Sequence, residues 1–190
     1  MQQHTHFFYA LAIPENEKAD LNKKCISLQK EFPFKKWTHP MDFHITLAFL
    51  GAAPEVKLNI SKDLLLPGIK KFHPFPLAIQ KLGTFGKNDS PRIFWAGVQN
   101  EPKLHEIRDN VYSACLKAGF QLETRPFKPH ITLARTWVAD SAFSSAALDE
   151  SNPFGEEPLT FIAHEVVLYK TNIGKSPKYE AISTFTLAGD

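Results

Sequence analysis

Two stretches of the chain carry the same four residues, His44-Ile45-Thr46-Leu47 and His130-Ile131-Thr132-Leu133. In an extended strand alternate side chains share a face, so each His lies beside its Thr while Ile and Leu point the other way. An ordinary imidazole, with a pKa of about 6.5, exists in both protonation states near neutrality. A neutral one can take a proton from water while a protonated one gives a proton to a leaving oxygen. Thr46 and Thr132 can hydrogen-bond to phosphate oxygens as charge builds on them. Together these groups suit phosphodiester cleavage that uses no metal and no cofactor. Arg135 adds a guanidinium able to grip phosphate through a planar fork. Strict alternation from His130, however, puts Arg135 on the Ile131 side, and it reaches the site only if the strand ends or bulges first.

A single His-x-Thr in a strand is ordinarily a core or surface histidine. Two identical copies in register reverse that reading, because His and Thr are poor fillers of apolar volume. The other histidines carry less. His4-x-His6 has strand spacing for a metal but no third ligand nearby, so it reads as exposed terminal sequence. His39, His73, His105 and His164 stand alone. Gly174-Lys175-Ser176 resembles the end of a P-loop, but Tyr169 occupies the place of its upstream glycine. Cys25 and Cys115 fall in helical patterns and read as small buried hydrophobes rather than a disulfide or a nucleophile. Phe8, Phe49, Phe85 and Trp95 read as core, with base stacking by one of them as the second reading.

The elements that must position these groups follow from apolar period and breakers. Residues 5–13 read as a buried strand. A proline-opened helix follows, with Leu21, Cys25, Leu28 and Phe32 on one stripe until Pro33 ends it. Residues 36–38 form a short strand, and a turn at 39–42 leads into the first His/Thr strand, closed by Gly51. A second helix spans 54–71, interrupted at Pro67-Gly68. Strands at 75–85 and 92–98 flank a polar loop. A helix over 102–118 turns Leu104, Ile107, Val111, Ala114 and Cys115 inward, and a strand at 120–123 precedes the second His/Thr strand. Residues 141–158, small, polar and turn-rich, read as a surface excursion. Residues 159–171 and 178–187 read as a closing strand pair.

The histidines of the two motifs lie 86 residues apart, and the same offset aligns what precedes them without a gap. Tyr9-Ala10 matches Trp95-Ala96, Leu21 matches Ile107, Cys25 matches Val111 and Phe34 matches Phe120. The chain therefore reads as an internal repeat, about residues 5–51 and 91–137, which implies pseudo-two-fold symmetry with one His/Thr strand from each half. At 190 residues it suits a single domain, 1–190, of two intertwined lobes. A net charge of +2 argues against a general nucleic-acid binder without excluding an enzyme that holds one phosphate. No apolar run approaches the roughly 20 residues that span a bilayer, so no membrane is expected, and the cytoplasm is the expected location.

The residues at this point resemble the two-histidine (2H) phosphoesterases, and among them the RNA 2′,3′-cyclic phosphodiesterases also described as 2′-5′ RNA ligases. The resemblance runs through residues 7–14, Phe43–Gly51, Leu82–Phe85, Phe94–Val98, Arg125–Arg135 and Val167–Tyr169 with Tyr179. It implies an α+β fold in which two antiparallel sheets flank a central groove with helices outside. It implies that His44 donates a proton to the leaving O3′, that His130 activates water, and that Thr46, Thr132 and Arg135 hold the phosphate. The implied substrates are RNA ends or nucleotides bearing a 2′,3′-cyclic phosphate. The implied product is a 2′-phosphomonoester, made without metal or cofactor and with reversible ligation as a companion activity; no obligate protein partner is evident in the sequence, and a monomer is expected. Many relatives carry Lys where this chain has Ala48. The alternatives are another 2H enzyme acting on a cyclic nucleotide or an ADP-ribose cyclic phosphate, or a non-catalytic module that binds RNA ends.

Overall fold

The structure, a computed structural model, describes residues 5–189, so His4 lies outside it. In chain order the elements are β1 (Phe7–Ala12), α1 (Glu15–Glu31), β2 (Phe34–Trp37), β3 (His44–Gly51), α2 (Glu55–Ile69), β4 (Phe75–Gly86) and β5 (Pro91–Val98). They continue with α3 (Pro102–Lys117), β6 (His130–Trp137), α4 (Ala146–Glu150), β7 (Leu159–Ala163), β8 (Glu165–Thr171) and β9 (Tyr179–Thr186). The strands run antiparallel in the order β7-β4-β5-β6-β3-β1-β8-β9, with β2 beside β6. Two halves, β7-β4-β5-β6 and β3-β1-β8-β9, meet at one bridging pair, Ile45 opposite Ile131. These two residues are equivalents in the repeat, so the pseudo-two-fold axis passes between them. Beyond that pair the halves diverge, and the divergence opens the central groove.

The repeat is legible element by element. β1 and β5, α1 and α3, and β3 and β6 correspond at the 86-residue offset, the last pair with identical limits. Both helices bury the stripes expected of them, Leu21, Cys25 and Leu28 in α1 and Leu104, Ile107, Val111, Ala114 and Cys115 in α3. α1 packs against β7 of the other half, and α3 against β3, so each repeat's helix covers part of its partner's strands. Among the described residues no helix is long and apolar enough to cross a membrane.

The structure corrects four expectations. α2 is continuous through Pro67, which sits in the last turn and so forfeits little of the ladder. Gly68 there lets α3 approach, since a Cβ would lie 2.3 Å from the Asn110 side chain. Residues 120–123 form no strand. Their equivalent, β2, is anchored by Trp37, whose ring meets Phe34 and Phe94 edge-on; the matching residue is Glu123, an exposed charge paired with Arg125. Residues 159–171 divide at His164 into two strands, and β7 and β8 go to opposite halves of the sheet.

Residues 141–158, finally, are more than a surface excursion. Phe143, Leu148 and Phe154 are buried, and Phe143 packs against Phe32, Phe34 and Trp137. The small polar residues around them hid three core anchors, of which Phe143 closes the core beside β2. Truncating Phe143 to Ala is expected to cost about 3 kcal/mol of unfolding free energy, measured by urea denaturation. A cost below about 0.5 kcal/mol, typical of an exposed site, would return the segment to the surface.

Candidate active site

The motif strands reach the groove by the same local device. Along β1 and β3, Tyr9 pairs with Ala48 and Ala10 with Thr46, leaving Leu47 as an extra residue. Along β5 and β6, Phe94 pairs with Ala134 and Trp95 with Thr132, leaving Leu133 extra. Leu47 and Leu133 are equivalent in the repeat. Each bulge puts two consecutive residues into the core, Leu47-Ala48 and Leu133-Ala134, and so reverses the parity of everything after it. Arg135 is thereby returned to the His130 and Thr132 side, and Phe49, its equivalent, to the His44 and Thr46 side. Thr136, next to Arg135, is the one non-glycine residue at positive φ among those described (65°), a costly conformation for a β-branched side chain.

A small polar chamber of about 140 Å³ lies at this meeting point, lined by His44, Thr46, Thr132 and Arg135 together with Asp42 and Lys178. A wider groove of about 1050 Å³ adjoins it and is lined by His130. Thr46 and Phe49 border both spaces. Antiparallel register carried one step either way from Ile45 and Ile131 sets His44 against Thr132 and Thr46 against His130. Each histidine thus neighbours the other half's threonine. All five residues singled out in the sequence border these two connected spaces. Phe49, expected in the core, is instead 54% exposed.

Both imidazoles are held in one tautomer. His44 Nδ1 lies 2.7 Å from the carbonyl oxygen of Asp42, and His130 Nδ1 lies 2.6 Å from that of Lys128, again equivalent positions. A carbonyl only accepts, so each Nδ1 carries the hydrogen and each Nε2 is the titrating nitrogen. His44 Nε2 is 3.0 Å from Thr46 Oγ1. The rings sit among aromatics, His44 by Phe8 and Tyr179 and His130 by Phe85 and Trp95. Trp95 lies flat on Gly83, where a Cβ would come within 2.2 Å of its ring. Burial pulls His44 down to about 4, with Lys18 and His130 adding repulsion and the Asp42 backbone bond opposing. Burial also lowers His130, helped by Arg135.

Several site residues escaped the sequence reading. The buried Asp42 carboxylate accepts backbone N–H bonds from Lys178 and Tyr179 at 3.0–3.1 Å, pinning the loop before β9 over His44. Thr38 and Thr171 also line the chamber, beside Phe8, which the sequence reading places in the core. Their partners come from distant chain segments, so periodicity holds no signal for them. The aspartate two residues before His44 was the available clue. Among the described residues no cluster of three or more His, Cys, Asp or Glu is placed to hold a metal. Cys25 and Cys115 are buried and unbridged, and burial raises each thiol to about 12.

A model of the 2′-5′ RNA ligase superfamily matches residues 27–174. An RNA 2′,3′-cyclic phosphodiesterase of Geobacillus stearothermophilus is 43% identical over 185 residues, 97% of this chain and 58% of that one. One from Bacillus subtilis is 33% identical over 183 residues, covering 96% of this chain and 97% of that one. Among solved structures, Escherichia coli LigT complexed with 3′-AMP superposes with a TM-score of 0.76 at 22% identity, over 96% of this chain and 98% of that one. TT0787 of Thermus thermophilus superposes at 0.74 and 25% identity, over 97% and 99%.

The histidines make stability depend on pH in a definite sense. His44 has a folded pKa near 4 and an ordinary value of 6.5. Between those values the unfolded chain takes up a proton that the folded chain refuses, so stability is complete above about pH 6.5 and falls as pH drops toward 4. The ring is partly exposed, which holds the effect to on the order of 1–3 kcal/mol. His44→Gln is expected to flatten the fall in Tm across that window relative to wild type. Parallel Tm–pH curves for the two proteins would refute the assignment.

Proposed function

Since the chain belongs to the 2′-5′ RNA ligase superfamily, we propose that it hydrolyses RNA ends bearing a 2′,3′-cyclic phosphate to 2′-phosphomonoesters, with His44 and His130 as acid and base. The observation that carries this reading is the convergence of both His-x-Thr pairs and Arg135 on one polar chamber and its adjoining groove. The relatives that bear this activity in their names, at 43% and 33% identity, support it.

In the proposed step the cyclic phosphate enters the chamber, and the Thr46 and Thr132 hydroxyls and the Arg135 guanidinium hold its non-bridging oxygens. His130 Nε2 takes a proton from water as the water oxygen bonds to phosphorus. The bond from phosphorus to O3′ breaks, and His44 Nε2 gives its proton to O3′. The ester at O2′ survives, so the product is the 2′-phosphomonoester. An RNA 5′-hydroxyl in the place of water yields a 2′-5′ linkage by the same step, and the reaction then runs in either direction. No metal or cofactor enters this chemistry. One chain supplies both histidines, which supports a monomer as the working unit, a single domain of two lobes, and we assign it to the cytoplasm.

Burial favours neutral His44 in the free protein, and the proton it must donate is stabilised by the substrate's own negative charge. The imidazole is then charged only while phosphate is bound, which is when its proton is needed.

Replacing either histidine with alanine is expected to lower kcat/KM on a 2′,3′-cyclic phosphate by about 10³-fold, with an unchanged urea unfolding curve as the control for folding. Wild-type activity in either variant would end the acid–base assignment. The pH profiles test the coupling to substrate, since kcat/KM reports the free enzyme and kcat the complex. The acid's apparent pKa is expected at least about one unit higher in kcat. Coincident profiles would show that bound phosphate does not charge His44.

A further inference from the structure

We propose that Lys178 is a second cation holding the substrate's phosphate, and that Asp42 is the positioning residue that delivers it to the chamber. This rests on the phosphodiesterase reading above and adds two residues to its site. The two halves are unequal in charge. Arg135 brings a guanidinium to the chamber from the second half, while the equivalent residue of the first half, Phe49, borders the same chamber without a charge. On the His44 side the cation comes from outside the repeat. Lys178, the last residue before β9, lines the chamber together with its neighbour Tyr179.

The backbone of Lys178 is fixed through both its N–H and its carbonyl. The N–H donates to the Asp42 carboxylate, 3.1 Å from each oxygen, and the N–H of Tyr179 donates to Oδ1 of the same carboxylate at 3.0 Å. The Lys178 carbonyl accepts from the N–H of Asn172 at 2.7 Å, and the Asn172 side chain reaches across to Glu180 at 2.8 Å. The loop of residues 172–178 is thus closed on itself and tied down by one side chain 136 positions away. From that anchored backbone the Lys178 ammonium lies over the Tyr179 ring, 4.7 Å from its centre. The Tyr179 ring in turn meets His44 edge-on at 5.2 Å. A ring face engages the charge without using up the three donors of an ammonium, so hydrogens are left for phosphate oxygens.

The signs of the charges point the same way. A phosphate chamber is a costly place for a buried carboxylate, because two anions repel strongly with little water between them. Asp42 is only 4% exposed and stands in the chamber wall all the same. Both its oxygens take backbone N–H groups, and the buried Lys18 attracts it while donating to the Met41 carbonyl at 2.9 Å. A carboxylate in that wall is intelligible once what it delivers is positive. With Lys178 present, Arg135 and Lys178 outweigh Asp42 among the charges lining the chamber; with Arg135 alone the wall is neutral. At the equivalent position of the second half stands Lys128, whose ammonium cannot accept a backbone N–H.

The test is titration with inorganic phosphate, followed by isothermal calorimetry near neutral pH. Lys178→Met is expected to weaken phosphate binding about tenfold, the scale of one lost charge-assisted hydrogen bond. Lys178→Arg, which keeps the charge, is expected to stay within about threefold of wild type. Lys175→Met removes an exposed lysine of the same loop and is expected to change nothing. Asp42→Asn tests the positioning role by the sign of its effect. Losing a neighbouring negative charge alone would tighten phosphate, whereas losing the tether is expected to weaken it about fivefold or more. Combined with Lys178→Met it is expected to lose no more than about twofold further, since both act through one ammonium. Urea unfolding controls for folding; if Asp42→Asn does not fold, Asp42→Glu replaces it, with the same loss expected because its oxygens move by a methylene. Wild-type affinity in Lys178→Met, or an equal loss in Lys175→Met, overturns the role of Lys178. Tighter binding by Asp42→Asn overturns the tether, and a wild type that binds no phosphate at millimolar concentration overturns both. On a 2′,3′-cyclic mononucleotide, kcat/KM is expected to fall in step with phosphate affinity. If the wild type binds phosphate through Lys178 yet cleaves no cyclic phosphate, the phosphodiesterase reading fails and the anion site stands. If it cleaves, and Lys178→Met binds phosphate as the wild type does, the reading stands and this proposal fails.

Discussion

The structure depends on one contact, the backbone pairing of Ile45 with Ile131 where the two halves of the sheet meet. Antiparallel pairing of equivalent residues is what a two-fold axis demands, and it leaves no freedom in what flanks the axis. His44 falls against Thr132, and Thr46 against His130, on the face opposite the buried isoleucines. A slip of one residue would turn both histidines into the core and both isoleucines into the groove. Ile45 and Ile131, both fully buried, oppose that slip, so the same packing that stabilises the sheet holds the register of the two His-x-Thr pairs. Only one residue pair can bridge the halves, because continued pairing would close the groove the site needs.

This arrangement was legible in the sequence to an unusual degree because the chain states it twice. The 86-residue offset aligned strand with strand and helix with helix, and the structure keeps that alignment to the limits of β3 and β6. What could not be read depends on contacts between distant segments. Alternation places Arg135 on the wrong face, since a bulge at Leu133 changes parity without changing composition. Its twin at Leu47 made the repeat look regular and so concealed both. The strand expected at 120–123 fails for want of an anchor like Trp37, and residues 141–158 hide Phe143 and Phe154 among turn formers. Asp42 and Lys178 meet from 136 positions apart, a distance at which local pattern carries nothing.

Electrostatics add a second constraint. Ringing each imidazole with aromatic side chains fixes its orientation but strips it of water, and both histidines become weaker bases for it. Their Nδ1 bonds to the Asp42 and Lys128 carbonyls recover part of that cost and settle the tautomer. In the proposed reaction the negative charge of the substrate's phosphate offsets the remainder, so that charge on His44 accompanies binding.

Symmetry built this site, yet a perfectly symmetric site could not work as proposed, because two equivalent histidines would have equal claims on each role. The differences between the halves are few and they cluster. Arg135 stands where the first half has Phe49, so His130 feels a guanidinium that has no counterpart at the matching position beside His44. Lys128 stands where the first half has Asp42, so one histidine follows a buried carboxylate and the other a groove-lining ammonium. Asp42 and Lys18 both act on His44, with opposite signs. Unlike surroundings for like groups are the condition for an acid and a base to be told apart. The same substitutions that separate the histidines also open one half of the molecule while the other is closed by its own loop. The acid–base polarity proposed for the site and the opening of the groove on one side are therefore two consequences of the same broken symmetry.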